Sequence, residues 1–513
     1  MSSTFFGLEM SKRALQTQQT ALNITGHNIS NSNTKGYTRQ TPNIQAMTPD
    51  ILNNMGNRMS IGAGVNVKTI ERVRDAFVDR QYRWENSNQQ YWAAREDSLG
   101  KIEGLVNEPS DYSLSDDLDQ FWNAWSDLSK NPENLGSRSV VLERAATLAD
   151  TFHHLDQQIT EMQKGLDSEI RVEIKQVNDY SNQIKSLNEQ IKRAEIAGDN
   201  PNDLKDKRDA IVDELSNLVN VRVVESKDPS YTDRDVSIYK VYIGSDSASD
   251  QILVDDTNAA YQLAEPTAAG SDGLPFADVK WATGSLAGKP VNLGENQGKL
   301  KANLNMRGPD NTPSQPKESA YLVNLRDKIN ELAKGIAEAV NDLHKLGKAK
   351  GITPPSDVPD FFVKDGTGEI TAANIKVNSD LKNDPWKIAT GKTNYGDGEI
   401  AKAIASLSSG WEDYENITLK ADGTIKAASF GDYYGAAIAE LGVDAQQATR
   451  MRKGQDVLLN NMYNQRETIS GVNLDEEITN LIKYQKSYTA AARMVTMMDD
   501  MLDTIVRGMG ITR

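Results

Sequence analysis

Apolar residues along the chain recur mostly at steps of three and four, with one strand-like block between the helical stretches. The longest periodic run covers about 137–197. Leu142, Ala145, Ala149, Phe152, Leu155, Ile159, Met162, Leu166, Ile170, Ile174, Val177, Ile184, Leu187 and Ile191 line one side, with Lys, Glu, Gln and Asp between them. At 1.5 Å per residue this predicts a helix roughly 90 Å long. A compact domain cannot cover such a stripe, so the spacing predicts a rod in which the helix packs lengthwise against other long helices. Gly198-Asp199-Asn200-Pro201 stops it, and a second helix resumes over 203–218 through Leu204, Ile211, Leu215 and Leu218. Further helices are expected at about 70–106 (Phe77, Trp84, Tyr91, Ala94, Leu99, Ile102), 114–129, 317–346 and 430–469. In the second of these, Phe121, Trp122 and Trp125 read as core anchors.

The texture changes at about 221. Val221-Arg222-Val223-Val224, the run from Val236 to Ile243, and Gln251-Ile252-Leu253-Val254 are strand-like and separated by Asp, Ser and Gly turns. Residues 221–295 read as a β-rich domain inserted into the rod, with its ends close together. A mixed, loop-rich stretch follows at 350–430.

The two ends differ from the middle. Leu8, Leu15, Leu22 and Ile29 stand seven apart in a helix over 4–30. So thin a stripe is closer to a coiled-coil seam than to a globular face. It runs into Asn28-Ile29-Ser30-Asn31-Ser32-Asn33-Thr34-Lys35-Gly36-Tyr37, dense in turn formers, with Gly36 suited to positive φ. At the other end Ser470-Gly471 breaks the chain. Asn473 reads as the N-cap of a last helix with Glu476 as its capping-box partner. That helix carries Leu474, Ile478, Leu481, Tyr488, Ala492, Val495 and Leu502, and a second stripe of Met494, Met498, Met501 and Ile505. Two stripes call for two sets of neighbours: the N-terminal helix and another chain.

The expected fold is α+β, mainly α: an elongated multi-domain rod of long helices, with the terminal helices paired as a coiled coil and a β-rich insertion. Residues 1–50 with 471–513 form the terminal region. Residues 51–220 with 296–470 form the rod, and 221–295 the outer domain. The terminal region should be disordered until assembly buries it.

Composition narrows the function. The chain has 513 residues and a formal charge of -16, without a concentrated basic stripe, which argues against a nucleic-acid partner. It has no cysteine, so packing alone must hold it. No apolar run is long enough to cross a membrane, and the start lacks a cleavable signal pattern, so an extracellular location would need another export route. The four histidines, His27, His153, His154 and His344, show no metal-site spacing, and no phosphate-binding glycine loop occurs. No cofactor, metal or enzymatic activity is expected.

The segment Asn23-Ile24-Thr25-Gly26-His27-Asn28-Ile29-Ser30-Asn31-Ser32-Asn33-Thr34-Lys35-Gly36-Tyr37-Thr38-Arg39-Gln40 resembles the N-terminal signature of the bacterial flagellar rod, hook and hook-associated proteins. Its Asn-Thr-x-Gly-Tyr-x-Arg-Gln form is similar to that of the hook-associated members. Ser470-Gly471-Val472-Asn473-Leu474-Asp475-Glu476-Glu477 and the run Leu481, Ile482, Tyr484, Gln485, Lys486, Ser487, Tyr488, Ala490 resemble the C-terminal signature. The resemblance implies a structural subunit of the extracellular flagellum, at the hook–filament junction. It implies export through the flagellar type III apparatus and self-assembly through the terminal helices. Hook protein and a second junction protein would lie on either side, and a cytosolic export chaperone would hold the C-terminal helix. Another axial protein (hook or distal rod) is the first alternative. A generic coiled-coil scaffold would lack the special ends, and an enzyme would need a convergent pocket.

Overall fold

The computed structural model describes residues 5–54, 57–108, 113–244, 251–255, 259–266, 278–308, 320–352, 357–409 and 429–509. Gly56, Pro109, Ser110, Pro354 and Pro355, all readable as turns or breaks, lie outside them. The chain is a mainly helical α+β protein built on α4 (Leu135–Ile196), whose 62 residues give a helix about 93 Å long. Asn134 caps it, accepting from the Gly136 and Ser137 amides.

The stripe of α4 is buried from Val141 to Ile191, but among the described residues no one helix covers its whole length. Short elements cover it in succession. Its first half shares a core with α3 (Leu114–Lys130), α7 (Tyr321–Leu346), α9 (Glu399–Ser406) and the hairpin β10 (Phe362–Lys364)–β11 (Ile375–Val377). Its second half packs on α5 (Asn202–Leu218), α6 (Lys299–Arg307) and the antiparallel sheet β5 (Val221–Lys227), β6 (Ser237–Ile243), β7 (Ile252–Val254). An apolar stripe specifies a buried face, not the length of what buries it.

Polar side chains set the register of these pieces. Spaced along α4, Asp156 pairs with Arg326, Asp167 with Arg307, Glu173 with Asn303 and Lys299, and Glu195 with Ser237 and Lys205. Asn188 donates to the Tyr239 carbonyl and Ser181 to that of Leu253. Buried polar groups need particular partners, so each pair fixes one short element at one height. The strands of the 221–295 block form where expected, and the Asn220 side chain meets that of Gln297 across its two ends. Its apolar residues join Ile170, Ile174 and Ile184 of α4 in a single core.

The aromatic residues of α3 are core anchors. Phe121 and Trp125 cluster with Phe361 and Phe362 at centroid distances of 5.0–6.4 Å, and Trp122 stacks on Phe430. The helix α2 (Ala76–Val106) differs from its apolar pattern. It starts at Ala76 because the Asp75 carboxylate caps the Phe77 and Val78 amides. Phe77 and Trp84 face solvent, while Asp79, Arg83, Asn86 and Arg95 are buried. Size alone does not place a residue inside. α2 packs along α10 (Phe430–Ser470), so the long-helix pairing exists here rather than on α4.

One seam is sensitive to acid. Arg138, fully buried, donates to the carbonyls of Pro132 and Ile388 and to Thr390. His344, also fully buried, sits between the Pro359 carbonyl at Nδ1 and the Ala389 amide at Nε2. Nε2 must accept, so the ring is neutral with its proton on Nδ1. Burial lowers the His344 pKa to about 4, against the weaker upward pull of the Pro359 hydrogen bond and Asp360. The unfolded chain therefore binds the proton first. The stability from this site is complete above about pH 6.5 and declines as pH falls toward 4, by roughly 3 kcal/mol in all. Urea unfolding at pH 7.5 and 4.5 should show this loss, and His344→Gln should shrink the difference between the two pH values.

Candidate functional site: the joint of the terminal helices

The helix α1 (Phe6–Ser30) runs antiparallel to α11 (Leu474–Met509). Gly7 lies against the Met498 side chain, and Asn28 bonds Glu477. The same number of residues separates each pair along both helices, so one register holds along the whole contact. On another side α1 carries the hairpin β1 (Gln40–Ala46)–β4 (Val65–Arg72), through Thr17 to the Val65 carbonyl and Arg13 to that of Ala63. The hairpin continues as β2 (Asp50–Asn54) paired with β3 (Asn57–Ile61).

The buried face of α1 is not the leucine heptad. Leu8, Leu15, Leu22 and Ile29 are half-buried, and Ser11, Thr17, Ala21, Ile24, Thr25 and Asn28 are buried. Small residues allow close approach of the hairpin and α11, which moves the leucines to the flanks. The helix ends at Ser30, where the sequence places its end. On α11, Leu481, Tyr484, Tyr488, Val495 and Leu502 are half-buried in the single chain, and Met498 joins them by its contact with Gly7. Leu474, Ile478 and Gln485 are exposed, so the single stripe drawn through Leu474, Ile478 and Leu481 divides between two faces.

The turn after α1 is built from its own side chains. Asn31 Nδ2 returns to the His27 carbonyl, Thr34 Oγ1 donates to Asn31 Oδ1, and the Tyr37 amide donates to the Thr34 carbonyl. Gly36 has φ +80°, and a Cβ there would meet Ala210 of α5 at 3.2 Å. Asn33 is exposed.

At the centre sits the Asn28 amide. Its Nδ2 donates to the Gln40 carbonyl (2.9 Å) and to Glu477 Oε2 (3.1 Å). Its Oδ1 accepts from the Gln40 amide (3.0 Å) and the Tyr37 hydroxyl (2.7 Å). Both donors and both lone pairs are used. Aspartate could not donate, and no other side chain of this size offers both sets on one planar group. Burial, with the Asp203, Asp206 and Glu477 carboxylates nearby, pushes the Tyr37 pKa up and keeps its hydroxyl a donor. His27 Nδ1 meets the same hydroxyl at 3.0 Å.

Glu477, buried, also accepts from Arg39 Nε (2.8 Å), and the Arg39 amide donates to the Ser470 carbonyl (2.9 Å). Asn473 caps α11 as its position implies, accepting from the Asp475 and Glu476 amides. The Glu476 carboxylate, expected to close a capping box, instead takes Arg39 at 3.0 Å. The floor is α5: Asp206 accepts the Thr38 amide, and Asp203 accepts Gln40 Nε2 (both 3.0 Å). Sequence reasoning singled out Asn28, Asn31, Thr34, Gly36 and Tyr37 as site residues; Arg39, Gln40 and Glu477 stood in the two signature segments without a role, and the α5 carboxylates were passed over. Asp203, Asp206, Asp209 and Asp213, spaced three, three and four, were the available signal.

Asn28→Asp removes two donated bonds and sets two carboxylates together, which should cost about 3 kcal/mol or more. Asn28→Ala should cost less, because it brings no charge. Thermal unfolding ranks the two, and hydrogen exchange at the Gln40 amide should quicken in both.

Residues 99–353 match the family described as flagellar hook-associated protein FlgK helical domain. Residues 8–38 match flagella basal body rod protein, and 464–507 match flagellar basal body rod FlgEFG protein C-terminal. The flagellar hook-associated protein 1 of Bacillus subtilis (strain 168) is 33% identical over 531 aligned residues, covering 100% of this chain and 99% of that relative. That of Escherichia coli (strain K12) is 26% identical, over 96% of this chain and 97% of its own. The solved flagellar hook junction protein FlgK from Burkholderia pseudomallei shares the fold, with TM-score 0.56 and 15% identity over 76% of this chain and all of the other. With both terminal signatures meeting in one buried joint and the likeness running the full length, the chain belongs to the flagellar hook-associated protein 1 family.

Proposed function

We infer that the chain is a structural subunit of the bacterial flagellum, joining hook to filament by assembly of its terminal helices. The full-length likeness to hook-associated protein 1 carries this reading. The surface of α11 supports the mode of assembly. Leu474, Ile478 and Ile482 are each about half exposed, as are Met494, Met497, Met501 and Ile505. At about 100° per residue, the two sets fall on opposite flanks of the line that faces α1. Apolar surface on both flanks asks for a neighbour on each side. Neighbouring copies of the chain supply them in a tube. In this reading Leu8, Leu15, Leu22 and Ile29 on α1, with Leu474, Ile478, Val495 and Leu502 on α11, complete their burial only in the assembly.

Hook protein and a second junction protein are the proposed partners on the two sides. A cytosolic chaperone covering α11 would keep its apolar flanks from aggregating before export, and the assembled subunit would be extracellular. In this organisation 1–50 with 471–513 is the axial part, 51–220 with 296–470 the rod, and 221–295 the outward part. Order in the unassembled axial part should be graded. The Asn28–Gln40 joint is fastened to α5, while both helices lose neighbours away from it. Amide exchange in the dilute monomer should be slow at Thr38–Gln40 and quicken toward Phe6 and Met509. Uniform strong protection along both helices would contradict assembly-dependent burial.

Deleting residues 485–513 leaves Glu477 and the joint in place. Expressed in cells lacking the native protein, this variant should fold but leave filaments unattached, with spreading lost on soft agar. Attached filaments would overturn the assigned role.

A further inference from the structure

The helix α10 is apolar on a side that none of the described residues covers. It packs on α2, with α3 and α7 beside its start. Its charged residues turn toward those neighbours and toward α5. Glu440 pairs with Lys328, Arg452 with Glu96, and Arg466 with Asp213 at 2.7 Å, while Asp456 accepts from Gln89 at 2.8 Å. The outward side is different. From Gly435 to Gln465 every exposed residue is uncharged except Arg450 and Lys453. Val443 and Val457 are 62% and 60% exposed, and Leu458 is 45% exposed. In a chain of formal charge -16, an outward helix face of this length without a carboxylate is not an ordinary solvated face. A helix with apolar residues on opposite sides is one that is covered on both.

Three glycines on the same side add to this. At Gly435, Gly442 and Gly454 a Cβ would meet no described neighbour within 4 Å, and none of the three has a positive φ. Glycine inside a helix lowers stability relative to alanine. Nothing within the chain asks for that loss here, whereas a second surface approaching closely would. The far side of the rod carries the matching charge. α10 packs on α2, α2 on α5 and α6, and these on α4, so the outward sides of α10 and α4 face away from each other. From Glu143 to Glu169 the exposed charges of α4 are Glu143, Asp150, Glu161 and Glu169 against Arg144 alone. Gly165 lies in the same stretch, also exposed and with open space about it. This face is opposite in sign to Arg450 and Lys453.

We propose that the outward face of α10, from Gly435 to Leu458, docks on the outward face of α4 in a neighbouring copy of the chain. Val443, Val457 and Leu458 lose their exposure there, the glycines let the two helices approach, and Arg450 and Lys453 meet the carboxylates of α4. The contact joins two unlike faces on opposite sides of the rod, so it repeats from copy to copy around a ring or a helix. It lies in the rod and adds to the flanks of α11, which follow on the same chain after Ser470. The choice of a second copy as the occupant rests on the assembly reading above. A different flagellar protein on this face is an outcome that the test can return.

The test uses the full-length chain with Val457 replaced by the photoreactive p-benzoylphenylalanine, expressed in cells lacking the native protein. Light on intact cells should yield covalent dimers and larger multiples of the chain. Mass spectrometry of the digest should place the cross-link within residues 143–169 of a second copy. Cross-links to another protein, cross-links to α10 of the second copy, or none at all overturn the proposal. Gly442→Leu is the second variant. With open space around Gly442 inside the chain, it should leave the thermal midpoint of the purified protein unchanged or raised. Combined with the Val457 probe, it should lower the dimer yield at least fivefold. A lowered midpoint or an unchanged yield overturns the proposal. Swimming restored by the native chain tests the junction reading separately. If swimming is not restored, that reading fails, and the self-cross-link still stands or falls by its own result.

Discussion

The Asn28 amide is the point on which the two ends of the chain depend. It matches the backbone of Gln40 as a neighbouring strand would, and its remaining donor reaches Glu477. One planar group thereby ends α1, starts β1 and registers α11. The same task done by apolar contact would be less specific. Apolar surfaces slide, whereas a buried carboxylate that loses its partner costs several kcal/mol. Such a joint has one low-energy geometry, and geometry is what an assembling subunit must present reproducibly to the next copy.

The rod follows the same logic over a longer distance. α4 supplies area through its apolar stripe and address through its buried polar residues. Area without address would let α6 or β6 settle one turn higher or lower at small cost. The pairs Asp167–Arg307 and Glu195–Ser237 remove those alternatives. Arg138 and His344 do this for the 385–395 segment, beside Ile388, which is buried in the same core as α4.

This division explains what was legible in the sequence. Helices, strands and their order follow from period and turn residues, and α4, α5 and β5–β7 fall close to where period places them. Partners do not follow from period. The long stripe of α4 gave no sign that short elements would cover it in turn. The heptad of Leu8, Leu15, Leu22 and Ile29 hid the closer-packing face of Gly7, Ser11, Ala21 and Thr25. Phe77 and Trp84 carried an apolar signal that the tertiary structure left outside, while the polar Asp79, Arg83 and Asn86 went in. The asparagine-rich turn was conspicuous because its residue types are unusual together. Glu477 and Asp209 were not, since a carboxylate at helical spacing ordinarily marks a solvated face, and only folding brings the arginines that make burial tolerable.

The placement of the uncovered apolar residues bears on symmetry. A two-fold dimer uses one patch that meets itself, so a single exposed stripe would suffice. α11 instead carries one apolar set near its start and another near its end, on opposite flanks of the α1 contact. Two unlike patches on opposite sides make a heterologous contact, which propagates until it closes into a ring or winds into a helix. A propagating contact multiplies any error in subunit geometry by the number of copies, so each subunit must present its two flanks in one reproducible arrangement. The register that Asn28 and Glu477 set between α1 and α11 holds part of that arrangement within the chain.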